Sequence, residues 1–250
     1  MAPGSLSVLF LISRAATGTI RYCDSVNAFS TAFTRGLPHG LIVAVHLPES
    51  IDDIPTAILH RLHAEEREYA ASLAGYRLVQ WIGGRLASRL AVRALGMELG
   101  PLMTDERGAP GCPKNLSISI AHKKHLAVAI ASRRDQGLVG VDLEVVGRDR
   151  SHIGEKVLTS QEMTDVEELP EDRQWIATLV RFALKEATYK ALAPRLGRYI
   201  SFDEAQISNI KNGSADVRLM LTSSDGPSSL EGRYEWMPEG LITTVRARWD

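Results

Sequence analysis

The order of predicted elements repeats along the chain, and this repetition constrains the fold more than any other feature. Hydrophobic periodicity and turn residues predict, in the first half, a strand, two helical segments and a hairpin, at 41–45, 56–73, 76–98, 116–120 and 126–131. The second half is predicted to repeat the order strand, helices, strands, at 138–146, 150–168, 171–193, 203–210, 215–222, 230–236 and 241–249. No residue-level repeat was found, so the order alone favours a duplicated α+β unit.

The length of 250 residues is sufficient for two compact halves, each with its own core. Residues 1–40 are small and polar with weak periodicity, and are predicted to form an irregular extension. The polar connector Arg133–Gly137 is the best boundary, which gives an N-terminal half at 1–134 and a C-terminal half at 135–250.

Charge and composition exclude several classes of function. The net charge of −1 gives no overall field that would attract nucleic acid or a membrane, so an anionic ligand must be bound by local basic clusters. Two cysteines in a chain of this length favour a reducing compartment. The apolar run Ser7–Ile12 is too short to cross a bilayer and no basic residue precedes it, so we expect a cytoplasmic protein.

Two carboxylates lie on one face of the strand that begins the second half. Side chains alternate along a strand, so Asp142 and Glu144 share a face and repel each other. Either a cation offsets this repulsion, in the form of a metal or a basic side chain, or the face is simply solvated near the end of a sheet. The pattern alone does not decide between these readings.

Two further groups of charged residues also have two readings each. Glu186 and Lys190 lie one helical turn apart, as in a surface ion pair, which is the common outcome of this spacing. His122, followed by Lys123 and Lys124, ends a predicted strand and could hold a phosphate or form an ordinary turn. Neither His122 and His125 nor His60 and His63 belong to a recognisable zinc pattern, which leaves oxygen ligands as the candidates for any metal.

Three arginines share the apolar stripe of the helix predicted at 76–98. Arg85, Arg89 and Arg93 flank Leu78 and Ile82 on the helical wheel, whereas solvated charges would occupy the opposite face. A half-buried anion would explain the pattern, because guanidinium groups match phosphate geometry. Alternatively, the stems pack along the core and the charged ends reach outward.

Together, these motifs resemble the surfactin-type 4′-phosphopantetheinyl transferases. Their signatures match, in order, Gly-Arg-Leu-Ala-Ser-Arg at 84–89, Arg-Gly-Ala-Pro at 107–110, Ser-Ile-Ala-His at 119–122, Gly-Val-Asp-Leu-Glu at 140–144 and Phe-Ala-Leu-Lys-Glu-Ala-Thr-Tyr-Lys at 182–190. The aspartate and glutamate of the strand, together with Lys-Glu-x-x-x-Lys, are the most specific part. One departure is Ala121, where the family often has serine.

The resemblance implies an α+β fold of two similar halves related by a pseudo-twofold axis, with coenzyme A in the cleft between them. It further implies that the enzyme moves phosphopantetheine from coenzyme A to a serine of an acyl or peptidyl carrier protein and releases 3′,5′-ADP. The site residues that it implies are Asp142, Glu144 and Glu186 as Mg²⁺ ligands, Asp142, Glu186 and Lys190 as catalytic residues, and Arg85, Arg89, Arg107, His122, Lys185 and Lys190 as contacts to coenzyme A.

The chemistry of these residue types agrees with those roles. Mg²⁺ prefers a few carboxylates and phosphate oxygens, and three carboxylates beside a pyrophosphate need a divalent cation. The base for the carrier serine is either Glu186 or a water held by a metal ligand. The alternatives are a non-catalytic module that binds coenzyme A or a carrier protein, which would not need three carboxylates, and a structural protein with decorative surface charges.

Overall fold

Each half of the chain is built from an antiparallel sheet covered by one long helix. The computed structural model describes residues 28–49, 54–105, 108–147, 149–221 and 225–250. The strands are β1 Thr31–Leu37, β2 Gly40–His46, β3 Leu116–Lys123, β4 Leu126–Arg133, β5 Leu138–Glu144, β6 Ala205–Lys211, β7 Ser214–Leu219, β8 Ser229–Met237 and β9 Gly240–Arg248. The helices are α1 Thr56–Leu59, α2 Ala64–Ala70, α3 Gly75–Ala94, α4 Gly154–Val157, α5 Ser160–Glu167 and α6 Glu171–Leu196. Short 3₁₀ turns occupy Arg134–Gln136, Ser151–Ile153 and Phe202–Glu204.

The two sheets use the same connection. In the first sheet the order is β1-β2-β4-β3, and in the second it is β5-β9-β8-β7-β6. In each, the strand that precedes the helices, β2 or β5, pairs antiparallel with the last strand of the sheet in sequence, β4 or β9. This confirms the predicted α+β class with two sheets.

Part of the predicted extension is wrong. Thr31–Leu37 forms β1, which pairs antiparallel with β2. This strand is an edge strand whose residues are exposed or half-buried, so its sequence lacks the alternation that marks a strand with one buried face. Residues 1–27 lie outside the described part of the chain, and the division of the chain at residue 134 stays a prediction.

Three apolar clusters hold the layers together. The long helices pack on the outer faces of the sheets: α3 with Ile82 and Leu86 on the first, and α6 with Leu184 and Leu192 on the second. A third cluster lies between the sheets and is formed by Ile42, Ala44, Ala121, Leu126, Val128, Ile130, Val139, Val141, Leu143 and Ile242. Alternate residues of β5 therefore face the first sheet, and the intervening ones face α6.

Glycine allows α6 to approach β5 closely. A Cβ atom on Gly140 would lie 1.9 Å from the carbonyl oxygen of Ala187, which is a backbone atom that cannot move away alone. Because Gly140 and Asp142 share a face of β5, this close approach also brings the Asp142 carboxylate to the Glu186–Lys190 turn of α6.

The same buried carboxylate appears in both halves. Glu66 in α2 accepts hydrogen bonds from His63 N at 2.8 Å, Leu102 N at 2.8 Å and Arg89 Nη2 at 2.7 Å. Glu162 in α5 accepts from Thr159 N at 2.8 Å, Ile207 N at 2.6 Å and Lys185 Nζ at 2.6 Å.

Each of these glutamates thus joins its own helix start, the long helix and the segment that follows it. We call these groups the carboxylate clamps: Glu66 with Arg89, and Glu162 with Lys185. Glu66 and Glu162 are 96 positions apart, as are Arg89 and Lys185, and as are the starts of the long helices at Gly75 and Glu171. The clamps therefore show a repeat that the sequence comparison of the halves had missed.

Candidate active site

The edge strands of the two sheets, β3 and β5, run side by side. The hydroxyl of Ser117 accepts from Val139 N at 2.9 Å, and that of Ser119 accepts from Val141 N at 3.0 Å. The same register places Ala121 and Lys123 beside the end of β5. Serines satisfy the backbone donors of an edge strand that no other strand covers, and they bring the end of β3 to the two carboxylates.

Two lysines bind the carboxylates of β5. Lys190 Nζ lies 2.6 Å from Asp142 Oδ1, and Lys123 Nζ lies 2.6 Å from Glu144 Oε2. Both carboxylates are largely buried, with side chains 8% and 11% exposed. The face of β5 is therefore occupied by a charged group that includes a residue from each half, and the solvated-face reading of Asp142 and Glu144 is wrong.

Glu186 belongs to the same group but has no cationic partner of its own among the described residues. Burial raises its pKa, Asp142 and Glu144 raise it further, and the positive charges of Lys190 and Lys123 oppose the rise. Burial also raises the pKa of Glu144, against the effect of Lys123. Glu186 and Lys190 do not form the surface ion pair that their spacing favours, because Lys190 turns to Asp142 instead.

His122 completes the group from the end of β3. Desolvation and the nearby Lys190 ammonium lower the pKa of His122, whereas Asp142 opposes the change. The imidazole is therefore neutral at pH 7, able to donate one hydrogen bond and to accept another.

Arg85 is a buried cation without a carboxylate partner among the residues described. It is 6% exposed, donates to the carbonyl oxygen of Leu102 at 2.8 Å and to Thr104 Oγ1 at 2.6 Å, and stacks 4.3 Å above the Trp81 ring. Desolvation lowers its pKa to about 10, so the guanidinium stays charged at pH 7. A fixed, desolvated guanidinium is suited to a phosphate.

Known proteins are similar to this chain in sequence. Residues 138–244 match the model of the 4′-phosphopantetheinyl transferase superfamily, and residues 65–132 match that of the 4′-phosphopantetheinyl transferase N-terminal domain. The 4′-phosphopantetheinyl transferase Npt of Nocardia iowensis is 32% identical over 166 residues, which cover 62% of this chain and 70% of Npt. The chain belongs to the 4′-phosphopantetheinyl transferase family.

Two further relatives of this phosphopantetheinyl transferase are the enzyme Svp of Streptomyces mobaraensis and a holo-[acyl-carrier-protein] synthase of Thermotoga maritima. Svp is 29% identical over 215 residues, which cover 78% of this chain and 82% of Svp. The match to the crystal structure of the Thermotoga protein has a TM-score of 0.37 and 24% sequence identity. It covers 46% of this chain and 64% of the Thermotoga chain. The matches to the two family models and to Npt confirm the predicted family.

Two residues predicted to contact coenzyme A in this transferase bind carboxylate and carbonyl oxygens of the chain itself, and their contacts to coenzyme A stay predictions. Arg89 donates twice to Glu66 and also to the carbonyl oxygens of Leu99 and Gly100. Lys185 is 3% exposed, and its ammonium binds Glu162 and the carbonyl oxygens of Val157 and Phe202. Because its ammonium has three acceptors, all three N–H donors of Lys185 are used. The geometry therefore assigns Arg89 and Lys185 to the carboxylate clamps.

The three arginines of the predicted stripe therefore lie in three different environments. Among the described residues, Arg85 is buried without a carboxylate partner, Arg89 is paired with Glu66, and Arg93 is exposed. Arg107 lies outside the described residues, so its predicted contact to coenzyme A stays a prediction.

Lys123 is the site residue that the sequence analysis left unassigned in this transferase. In the sequence it stands out only as a neighbour of His122. The signal was present, because Ser117, Ser119, Ala121 and Lys123 alternate along β3 and so share the face toward β5.

Proposed function

We propose that this chain transfers the 4′-phosphopantetheine group from coenzyme A to a serine of a carrier protein. The observation that supports it most directly is the convergence of Asp142, Glu144 and Glu186 with Lys123 and Lys190 where β3, β5 and α6 meet. Such a group of mixed charges can bind a pyrophosphate and accept a proton, as phosphoryl transfer requires. A protein that only binds coenzyme A would not need three partly buried carboxylates.

The residues also fit a Mg²⁺ ion. The candidate ligands are all carboxylate oxygens, and the buried Oδ2 atom of Asp142 has no hydrogen-bond partner among the described residues. In the described part of the chain, no three His, Cys, Asp or Glu side chains already stand close enough to hold a metal. Asp142 and Glu144 are paired with Lys190 and Lys123. We expect the metal and coenzyme A to bind together, because the two lysines can then turn from the carboxylates to the phosphates.

Each residue then has a role in the transfer. The serine oxygen of the carrier protein forms a bond to the β-phosphorus, the bond from that phosphorus to the bridging oxygen breaks, and 3′,5′-ADP leaves. The serine proton passes to Glu186 or to a water beside it, for which the raised pKa of Glu186 is suitable. Lys190 and Lys123 offset the charge of the pyrophosphate, and His122 and Arg85 bind further phosphate oxygens. Mg²⁺ held by Asp142, Glu144 and Glu186 would stabilise the charge that develops on the leaving phosphate.

The direct test is incubation with coenzyme A, Mg²⁺ and an apo carrier protein, followed by intact-mass measurement of the carrier. We expect a gain of one phosphopantetheine group per carrier serine and release of an equal amount of 3′,5′-ADP. EDTA should abolish the gain, and Mg²⁺ or Mn²⁺ should restore it better than Zn²⁺, because the site contains no soft ligand. A carrier whose mass stays unchanged with every class of carrier tested would contradict the proposal, and transfer in EDTA would contradict the metal site alone.

The family and the fold leave localisation open. Within the described residues, no helix combines the length and apolarity needed to cross a bilayer. We propose a protein that works in the cytoplasm, where coenzyme A and carrier proteins are both available.

A further inference from the structure

A second group of polar and basic side chains lies on the opposite face of the second sheet from Asp142. His39, in the turn between β1 and β2, is fully buried, and its Nδ1 atom lies 2.9 Å from Thr244 Oγ1. Arg246 follows Thr244 on the same face of β9 and is 8% exposed. The group therefore joins a loop of the first half to the last strand of the second half.

Arg246 and His39 both have buried nitrogen atoms with no partner in the described structure. Arg246 Nε and His39 Nε2 are buried without a hydrogen bond. Oε2 of Glu231 lies 3.6 Å from His39 Nε2, which is within ion-pair range but beyond hydrogen-bond distance. Since almost all buried polar atoms in proteins are satisfied, the unpaired Nε donor of Arg246 and the unpaired ring nitrogen of His39 indicate a missing partner.

The arginines around these two nitrogen atoms differ in their access to a carboxylate. Glu231, which pairs with Arg246 across the sheet, already accepts from Arg248 Nη1 at 2.6 Å. Arg233 pairs with Thr244 in the same register and adds a third guanidinium. Asp216, which pairs with Glu231 in the sheet, lies on the same face, and Arg233 is exposed to solvent. Among the described residues, Arg246 is therefore the buried guanidinium of this group that forms no ion pair. A second arginine–glutamate pair nearby, Arg35 with Glu235 at 2.7 Å, is balanced.

We propose that Arg246 and His39 form a binding site for a phosphate-type oxyanion at the junction of the two halves. Arg246 would supply a guanidinium fork, which matches two oxygens of a tetrahedral anion. His39 would donate from Nε2, with Nδ1 accepting from the Thr244 hydroxyl, so a neutral imidazole suffices. A tetrahedral oxyanion offers an acceptor oxygen to each of the two side chains, whereas chloride has no second acceptor atom.

The site is separate from the proposed site for coenzyme A. Asp142 and Gly140 face α6, whereas Arg246 and Thr244 lie beside Val139 and Val141, which face the first sheet. The inference therefore stands whether or not the chain transfers phosphopantetheine. An anion held by both halves binds only the folded chain, so it should stabilise the fold in proportion to its concentration.

The experiment is isothermal titration of inorganic phosphate and a matched thermal melt, both against sodium chloride of equal ionic strength. All variants are made in a protein that already carries Lys190→Met, which we call the background. This substitution removes one phosphate contact from the proposed active site. We expect phosphate to bind and to raise the melting temperature. Adding Arg246→Gln should weaken the affinity by about tenfold or more, the scale of a lost charged hydrogen bond. Arg218→Gln, an exposed arginine on β7, should leave binding unchanged.

A second variant covers the case in which Arg246→Gln does not fold. Arg246→Lys keeps the charge and loses the fork, so we expect weakened phosphate binding with the native circular dichroism spectrum retained. His39→Gln should weaken binding as well. Equal phosphate affinity in the background, Arg246→Gln and Arg246→Lys proteins would place the anion elsewhere and overturn the proposal, and so would the absence of any phosphate binding in the background.

Discussion

Glu186 and Lys190 are one helical turn apart, yet the two side chains have different electrostatic environments. Lys190 neutralises the buried Asp142, whereas Glu186 stands beside two other carboxylates and has no cation of its own among the described residues. Substitutions at these positions should therefore separate activity from stability.

Glu186→Gln should reduce kcat by about 10²-fold or more, the scale of a lost base or metal ligand, with no loss of stability. It removes one of three repelling negative charges, so the melting temperature should stay the same or rise. The measurements are steady-state transfer kinetics and thermal melts. Equal and small losses of kcat for Glu186→Gln and Lys190→Met would show that neither residue serves the reaction.

Lys190→Met should lose less activity than Glu186→Gln but more stability. It leaves the Asp142 carboxylate, 8% exposed, without its partner. A fully buried unpaired charge lowers the free energy of unfolding by about 3–5 kcal/mol. Because Lys190 is partly exposed, we expect a loss of about 1–2 kcal/mol. Mg²⁺ together with coenzyme A should restore part of this loss, because Asp142 would then have a cation again.

Arg85 is the arginine of α3 that remains available for a phosphate. Arg85→Ala should raise the KM for coenzyme A by about tenfold or more, on the order of 1.5–3 kcal/mol for a charged hydrogen bond. Arg93→Ala, on the exposed face of the same helix, serves as the control and should not change KM. Dephospho-coenzyme A should bind to the wild type more weakly than coenzyme A. If Arg85→Ala binds both ligands normally, Arg85 is a packing residue fixed by Leu102, Thr104 and Trp81.

At the scale of the helices, the carboxylate clamps fix each short helix against its long helix. Glu162 is fully buried, so Lys185→Met would leave a charge with no cation within hydrogen-bond distance. We expect a loss of about 3–5 kcal/mol in the free energy of unfolding, measured by urea denaturation. The KM for coenzyme A of the protein that remains folded should be unchanged.

A double substitution tests the same point. Glu162→Gln combined with Lys185→Met should be more stable than Lys185→Met alone, since the amide oxygen still accepts from Ile207 N and the buried charge is gone. Lys211→Met, at an exposed lysine, controls for the loss of a positive charge. A Lys185→Met protein with normal stability and a raised KM would return Lys185 to the phosphate role that the motif implies.

The clamps also show what the sequence could and could not predict. Periodicity predicted the long helices and most strands, and the motifs singled out Asp142, Glu144, Glu186 and Lys190, whose catalytic and metal-binding roles stay predictions. The contacts of Arg89 and Lys185 could not be predicted, because a motif shows which residue type is present and not which way its side chain turns. Their partners lie 23 positions away in each half, at Glu66 and Glu162, and only the packed helix pair brings them together. Edge strand β1 was missed because neither of its faces is clearly apolar.

At the scale of the molecule, His39 couples the junction of the halves to pH. Burial and Arg246 lower its pKa to about 4, from an unfolded value of 6.5. As pH falls below 6.5 the unfolded chain takes up the proton first, so stability falls until about pH 4. Across this pH range, His39 changes the free energy of unfolding by a value on the order of 3 kcal/mol. His39→Gln should flatten the slope between pH 6.5 and 4, measured by urea denaturation in phosphate-free buffer. An unchanged slope would mean that His39 titrates normally.

The repeat at 96 positions has different residues at the positions that carry chemistry. Where α6 has Glu186 and Lys190, α3 has Leu90 and Ala94, whereas the clamp cations are kept as Arg89 and Lys185. In the described part of the chain, the three carboxylates of the group therefore all come from the second unit, and the first unit contributes Lys123 and His122. The basic residues of the first unit and the carboxylates of the second unit thus belong to one polypeptide chain. The group can therefore form without association of two chains. Turnover per chain should accordingly stay constant when the enzyme is diluted over several orders of magnitude, whereas an active site shared between separate subunits would lose activity as those subunits dissociate.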